Sequence, residues 1–245
     1  MKCMILCAGY GSDLLENETG IPSTLLKVTE TETILDYILK SMEEIEEIDE
    51  ILIATNNRYH KALCQYQENK KYPKKIKIIN DTTHNKNECL GAVGDIEYLI
   101  KDQDIKEDVL IILGDNLFMF DLKPMIASFQ NSREVTIAVQ TEMDRKKLRN
   151  LGIVETDDTG KVIGFDERSK NPKTALKSLG IYLFPKEVLP YIQTYLEEGN
   201  RTETPGYLLT YLYPILPIHA YPLEGFWFDI NTDEELHVIR NQFRK

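Results

Sequence analysis

A mostly apolar run at residues 2–7 gives way to Ala8-Gly9-Tyr10-Gly11-Ser12-Asp13, two glycines directly behind what reads as a buried strand. Glycines at such a point let the backbone come close to a ligand and turn its N–H groups toward an anion. The same pair also suits a plain turn. A dinucleotide-binding loop wants a third glycine opening a helix, but position 14 is Leu and no helical pattern begins there, so a dinucleotide-dependent oxidoreductase is disfavoured. Nucleophilic catalysis finds no constellation either. His60, His84, His219 and His237 are scattered, none in a pattern with Ser or Cys. Cys3 and Cys7 are not spaced as a C-x-x-C pair, and with Cys64 and Cys89 they read as reduced structural thiols.

The charge balance narrows the partners. Twenty-nine Lys and Arg against 40 Asp and Glu give a net charge of −11, which argues against nucleic acid or an anionic membrane surface. A phosphate site in such a chain must be built from local cations, backbone N–H groups or a bound metal. The longest apolar run, 109–113, is far too short to span a bilayer. Gly9 and Gly11 also cut short any signal-like N-terminus, so a cytoplasmic chain is expected. The only basic run, 70–75, reads as a solvated loop.

The elements that must position this loop alternate over the first half. Strands are expected at 2–7, 50–54, 76–79 and 108–113. Helices fall between them: one capped by Thr33 with Asp36 three residues on, then 58–68 and 90–100. Apolar strands joined by such helices imply parallel pairing through right-handed crossovers, with ligands outside the carboxyl ends of the strands. From about residue 134 the rhythm turns to strands at 134–140, 152–155, 161–166 and 178–184, with a hairpin signal at Asp157-Asp158-Thr159-Gly160. Helices at 186–197 and 206–213, strands at 218–222 and 225–229 and a helix at 232–243 complete the pattern. The expected fold is α/β: a Rossmann-like, doubly wound, mixed and mostly parallel sheet with a smaller β-rich elaboration in the second half. Residues 1–245 read as one domain.

Residues 8–28, A-G-Y-G-S-D-L-L-E-N-E-T-G-I-P-S-T-L-L-K-V, lie without a gap on A-G-x-G-T-R-L-x-P-L-T-x-x-x-P-K-x-L-L-P-V, a pattern of the sugar-1-phosphate nucleotidylyltransferases. Further segments resemble that family in order: 90–94 its L-G-T-A-G loop, 114–116 its G-D-N strand end, 151–155 its G-x-V-E, 165–168 its F-x-E-K-P, and 227–232 its W-x-D-x-G-T. The resemblance implies transfer of a nucleotidyl group from a nucleoside triphosphate to a sugar-1-phosphate or similar phosphorylated small molecule, releasing pyrophosphate. It also implies Mg²⁺ bound by Asp115 and Asp229. Nucleotide contacts are expected from Ala8, Gly9, Gly11, Ser12, Leu90 and Gly91. Sugar-phosphate contacts are expected from Gly152, Glu167, Arg168 and Gly180, with Glu203 a further polar contact. Residues 1–133 would then be the nucleotide-binding half and 134–245 the sugar-phosphate-binding half, and a homo-oligomer is compatible with both.

The physical chemistry is consistent, since two anions must approach each other and cations supply most of the catalysis. Asp115 and Asp229 end separate strands, from which two carboxylates can converge on one hard cation. Taken singly, each equally reads as a turn or helix-start Asp. The pattern breaks at the catalytic loop. Asp13 stands where the family has arginine and Ser23 where it has lysine. Losing one cation about 4 Å from a phosphate forfeits on the order of 4 kcal/mol at most, and by analogy with other phosphoryl transfers about 10³ to 10⁵ in rate. Ala92, Leu179 and Asn231 are further departures. Lys27 is a substitute cation near the loop, and Arg168 keeps its charge and adds a fork. The alternatives are a catalytically weak relative that binds nucleotide or sugar phosphate as a regulatory partner, and a cytidylyltransferase acting on a non-sugar phosphorylated molecule.

Overall fold

The computed structural model describes residues 1–10, 21–230 and 232–243. In chain order the strands and helices are β1 (Lys2–Cys7), α1 (Ile34–Lys40), β2 (Glu50–Thr55), α2 (His60–Glu68), β3 (Lys75–Asn80), α3 (Gly91–Asp102), β4 (Val109–Leu113), β5 (Asn116–Met119), α4 (Lys123–Ser132), β6 (Val135–Thr141), α5 (Arg145–Leu148), β7 (Gly152–Thr156), β8 (Val162–Glu167), β9 (Leu176–Phe184), α6 (Leu189–Glu197), α7 (Pro205–Leu212), β10 (Ile218–Pro222), β11 (Phe226–Asp229) and α8 (Asp233–Phe243). Short 3₁₀ turns cover Ser23–Leu25 and Lys186–Val188. The α/β class and the mixed, mostly parallel sheet expected from the sequence are those observed. Packing groups the chain into two compact units of separated segments: 1–89 with 112–121 and 225–245, and 90–111 with 122–224. These boundaries are drawn by packing and fall elsewhere than 133/134.

In the first unit β1, β2 and β3 pair in parallel, Lys2 opposite Glu50 and Glu50 opposite Lys75. Every residue of β2 is buried, as a parallel strand covered on both faces requires. β3 carries Lys75 and Lys77 instead, the charged device that keeps a strand edge from pairing further. Thr33 and Asp36 form the full capping box of α1, with Asp36 N–H donating to Thr33 Oγ1 at 3.2 Å and Thr33 N–H to Asp36 Oδ2 at 2.8 Å. The apolar stripe runs past the end of that helix. Lys40 closes it, yet Met42 and Ile45 stay fully buried in the turns that follow.

Two elements of the middle segment escape the sequence reading. β5 is only four residues long and pairs antiparallel with β11, more than a hundred residues away. α4 opens with Pro124 in its first turn and buries Met125, Ile126 and Phe129.

In the second unit β10 runs parallel to β6, β6 antiparallel to β9, and the β7–β8 hairpin extends from β9. The turn expected at 157–160 forms, with Gly160 N–H donating to Asp157 O and Gly160 at φ +83°. No described helix is long and apolar enough to cross a membrane. All four cysteines are free, and buried Cys3 donates to Met42 Sδ at 3.1 Å.

Candidate active site

The first unit places its expected residues at the ends of β1, β5 and β11. Ala8 is buried and Gly9 exposed, with nothing near the space a Cβ would fill. Asn56, fully buried just past β2, donates from its side-chain amide to Ala8 O at 2.9 Å and Gly9 O at 3.4 Å, and accepts from Tyr59 N–H. Tyr10 extends this anchoring through a hydroxyl contact with Thr83, which donates to Asp81. The backbone leaving β1 is therefore fixed by side chains from the ends of neighbouring strands. Asn56 had no motif to announce it; the only sequence signal was a polar residue directly after the end of a mostly apolar strand. Gly11, Ser12 and Asp13 lie outside the described residues.

Gly114 matters for close approach. Its N–H donates to Leu6 O at 2.9 Å, and a Cβ there would strike Cys7 Sγ and the Leu6 carbonyl. That contact sets where Asp115 emerges. In the β5–β11 pair Asp229 lies opposite Asn116, and Ile230 N–H reaches Asp115 O at 3.4 Å, so the backbones of Asp115 and Asp229 lie one position apart across the pair. Asp115 Oδ1 is buried and accepts no hydrogen bond. Burial pushes this carboxyl up from its ordinary range. A buried acceptor without a donor costs about 1–3 kcal/mol, more when charged. Ser23 begins the 3₁₀ turn, while exposed Lys27 donates to Glu30 O at 3.2 Å and its own carbonyl accepts from Arg240 Nε.

The second unit holds a different kind of carboxylate. Glu167 ends β8 with its side chain against Gly206, where a Cβ would collide with the carboxylate, and beside Gly152, where a Cβ would lie 2.9 Å from Oε2. Both glycines thus make room for one carboxyl group. Gly206 opens α7 behind Pro205, and Thr204 caps that helix and bonds to Glu167. Burial raises Glu167 to about 7, against the lowering effects of Arg168, Thr204 and Arg201. Arg168 sits at φ +55° with its N–H on Leu151 O and its guanidinium largely exposed, Nε 3.9 Å from Glu167. A bulky residue in left-handed backbone is an outlier that its surroundings must hold.

Gly180, at φ +70°, lies at the irregularity where β9 slips against β6 between Ile137 and Val139. Gly91, at φ +75°, lets the backbone at Thr202 come close, and Val93 N–H donates to Thr202 O. Leu90 is the half-buried residue before α3. Glu203 is exposed and paired with Arg201, whose guanidinium stacks 3.9 Å over Tyr207. The second unit's cluster is therefore Gly152, Glu167 and Arg168, to which the structure adds Thr204 and Gly206.

A family model described as nucleotidyl transferase matches residues 2–245. The chain belongs to the nucleotidyl transferase family. It is similar to the glucose-1-phosphate adenylyltransferase of Thermomicrobium roseum, 32% identical over 132 residues that cover 51% of this chain and 30% of that one. It is also similar to the bifunctional protein GlmU of Methanococcus aeolicus, 27% identical over 249 residues covering 98% and 55%. The chain spans about half the length of the GlmU relative and about a third of the adenylyltransferase. Among solved structures, a glucose-1-phosphate thymidylyltransferase from Bacillus anthracis, crystallised with sucrose, superposes with a TM-score of 0.82 at 21% identity over 100% and 96% of the two chains. A UDP-glucose pyrophosphorylase bound to UDP-glucose gives 0.80 at 18%, over 99% and 98%. At these identities the two structures speak for the nucleotidyl transferase fold.

Proposed function

We propose that this chain transfers a nucleoside monophosphate from a nucleoside triphosphate to a sugar-1-phosphate. An acceptor phosphate oxygen bonds to the α-phosphorus, the bond to the β-phosphate oxygen breaks, and pyrophosphate leaves. The reading is carried by one observation: the backbones of Asp115 and Asp229 adjoin at paired strand ends, and Asp115 Oδ1 is buried without a donor. Two carboxylates with an unsatisfied buried oxygen fit a small hard cation. Among the described residues no cluster of three or more His, Cys, Asp or Glu exists, so Mg²⁺ here would have two protein carboxylates, with phosphate oxygens and water as further ligands. When bound, the ion would neutralise charge on the triphosphate.

The chain's own residues take the remaining roles. The Asn56-anchored backbone at Ala8 and Gly9 approaches the phosphates, and Lys27 contributes local positive charge. In the second unit Glu167 accepts hydrogen bonds from sugar hydroxyls, and Arg168 offers a fork to the sugar phosphate. Support for the acceptor class comes from the relatives, whose names specify glucose-1-phosphate and UDP-glucose. The second reading, a binding or regulatory relative with little turnover, is favoured by Asp13 and Ser23 at the two signature cation positions.

A pyrophosphate-release assay with Mg²⁺, over a panel of nucleoside triphosphates, sugar-1-phosphates and phosphorylated non-sugar alcohols, separates these readings. Turnover with a sugar-1-phosphate supports the transferase. Turnover only with a non-sugar acceptor moves the assignment to that substrate class. Silence across the panel with measurable nucleotide binding overturns the transferase reading in favour of the second.

A further inference from the structure

The second unit holds a cavity of about 440 Å³ between the start of α5 and the loop that leads into β9. Arg145, Arg149, Lys170 and Lys173 line it, with Leu148 and Pro172 supplying apolar wall. It contains none of Gly152, Glu167, Arg168 or Gly180. Arg145 and Arg149 are four residues apart, which puts both guanidinium groups on one side of the helical turn. Like charges at that spacing destabilise a helix rather than support it.

Two carboxylates stand at this cavity, Glu142 in its lining and Glu155 beside the lining residue Lys173, and both are already paired. Glu142 accepts from Lys177 at 3.0 Å and from Asp144 N–H, and Glu155 pairs with Lys173 at 2.9 Å. Arg145, Arg149 and Lys170 make no ion pair among the described residues. Three uncommitted cations therefore face one concavity in a chain whose net charge is −11. A solvated charge run spreads its cations over a convex surface; these converge from two separate segments. The volume is that of a single small-molecule site, and two guanidinium forks match the paired oxygens of a phosphate group.

We propose that this cavity binds a small phosphorylated molecule carrying two anionic groups, at a site separate from the carboxylates of the candidate active site. Arg145 and Arg149 grip one phosphate by bidentate hydrogen bonds, Lys170 meets the second anionic group, and Leu148 and Pro172 pack against the carbon between them.

The probes are inorganic phosphate and methylenebisphosphonate, titrated calorimetrically into the intact protein without divalent cations, so that binding through a metal at Asp115 does not contribute. The bisphosphonate is expected to saturate at one equivalent and to bind more tightly than phosphate. R145A/R149A is expected to weaken it by more than about tenfold. R145K/R149K, which keeps charge but loses the forks, should give an intermediate loss, and R168A should leave binding unchanged. Arginine side-chain NMR signals of the wild-type protein test the same contacts without any variant, and those of Arg145 and Arg149 should shift on titration. Non-saturable binding, unchanged affinity in R145A/R149A, or a loss in R168A as large as in the double variant would overturn the proposal, as would unmoved Arg145 and Arg149 signals.

Discussion

Two carboxylates, one in each unit, show how partners decide what a buried acid is for. Glu50, at the start of β2, has Lys75 at 2.7 Å, Lys77 at 3.2 Å and Lys2 at 3.2 Å. Burial alone would raise its carboxyl, but the three ammonium groups outweigh it and hold the group at about 2. Glu167 is as well covered, yet its cations are weakly placed, and burial wins, lifting it to about 7. The first group has its charge offset by three ammonium groups and ties strands β1, β2 and β3 together at one end. The second holds its proton to higher pH because burial outweighs Thr204 and the nearby arginines, and a buried acid perturbed in that way is a candidate for ligand contact.

The contrast breaks most sharply if the space around Glu167 is filled. Gly206→Ala would drive a methyl into the carboxylate, so we expect destabilisation of about 3 kcal/mol and loss of sugar-phosphate binding, read by denaturant melts and calorimetry. Unchanged binding would show that the Glu167 nest is not the acceptor site.

Titration separates the two acids by sign. Between about 4.5 and 7 the folded state binds the extra proton at Glu167, so its contribution costs stability progressively as pH rises through that window. Glu167→Gln should remove the slope and stabilise the protein at pH 8 by on the order of 2 kcal/mol. For Glu50 the folded value is depressed. Its contribution is fully present above about 4.5 and is lost as pH falls toward 2. Glu50→Gln should therefore destabilise at neutral pH, by on the order of 1 kcal/mol after solvent screening, and flatten the acid limb. A common sign for both variants at pH 8 would contradict the comparison. The smallest effect is expected at the signature loop. Asp13→Arg with Ser23→Lys should tighten nucleoside triphosphate binding by about tenfold, and an unaltered affinity would remove the electrostatic account of that loop.

These positions also mark how far the sequence could be read. The capping box at Thr33 and Asp36, the turn at Asp157 to Gly160 and the strand before Gly9 are local, set by residues within a few positions of one another. β5 was invisible because four residues become a strand only by meeting β11, and nothing in Asn116–Met119 encodes that distant partner. The candidate site divides the same way. Asp115, Asp229, Glu167 and Arg168 sit in recognisable strings. Asn56, Thr204 and Gly206 act through the space they leave or the carbonyl they reach, which only packing discloses.

Asp115 carries the central claim, that an uncompensated carboxylate beside Asp229 awaits a cation the reaction needs. Pyrophosphate release from a nucleoside triphosphate and a sugar-1-phosphate, followed across a Mg²⁺ titration for the wild-type protein and Asp115→Asn, tests it directly. The expected result is release that saturates with Mg²⁺ in the wild type and falls by about a thousandfold in the variant, several kcal/mol of charge stabilisation. Equal release by both proteins, or release indifferent to Mg²⁺, would contradict it.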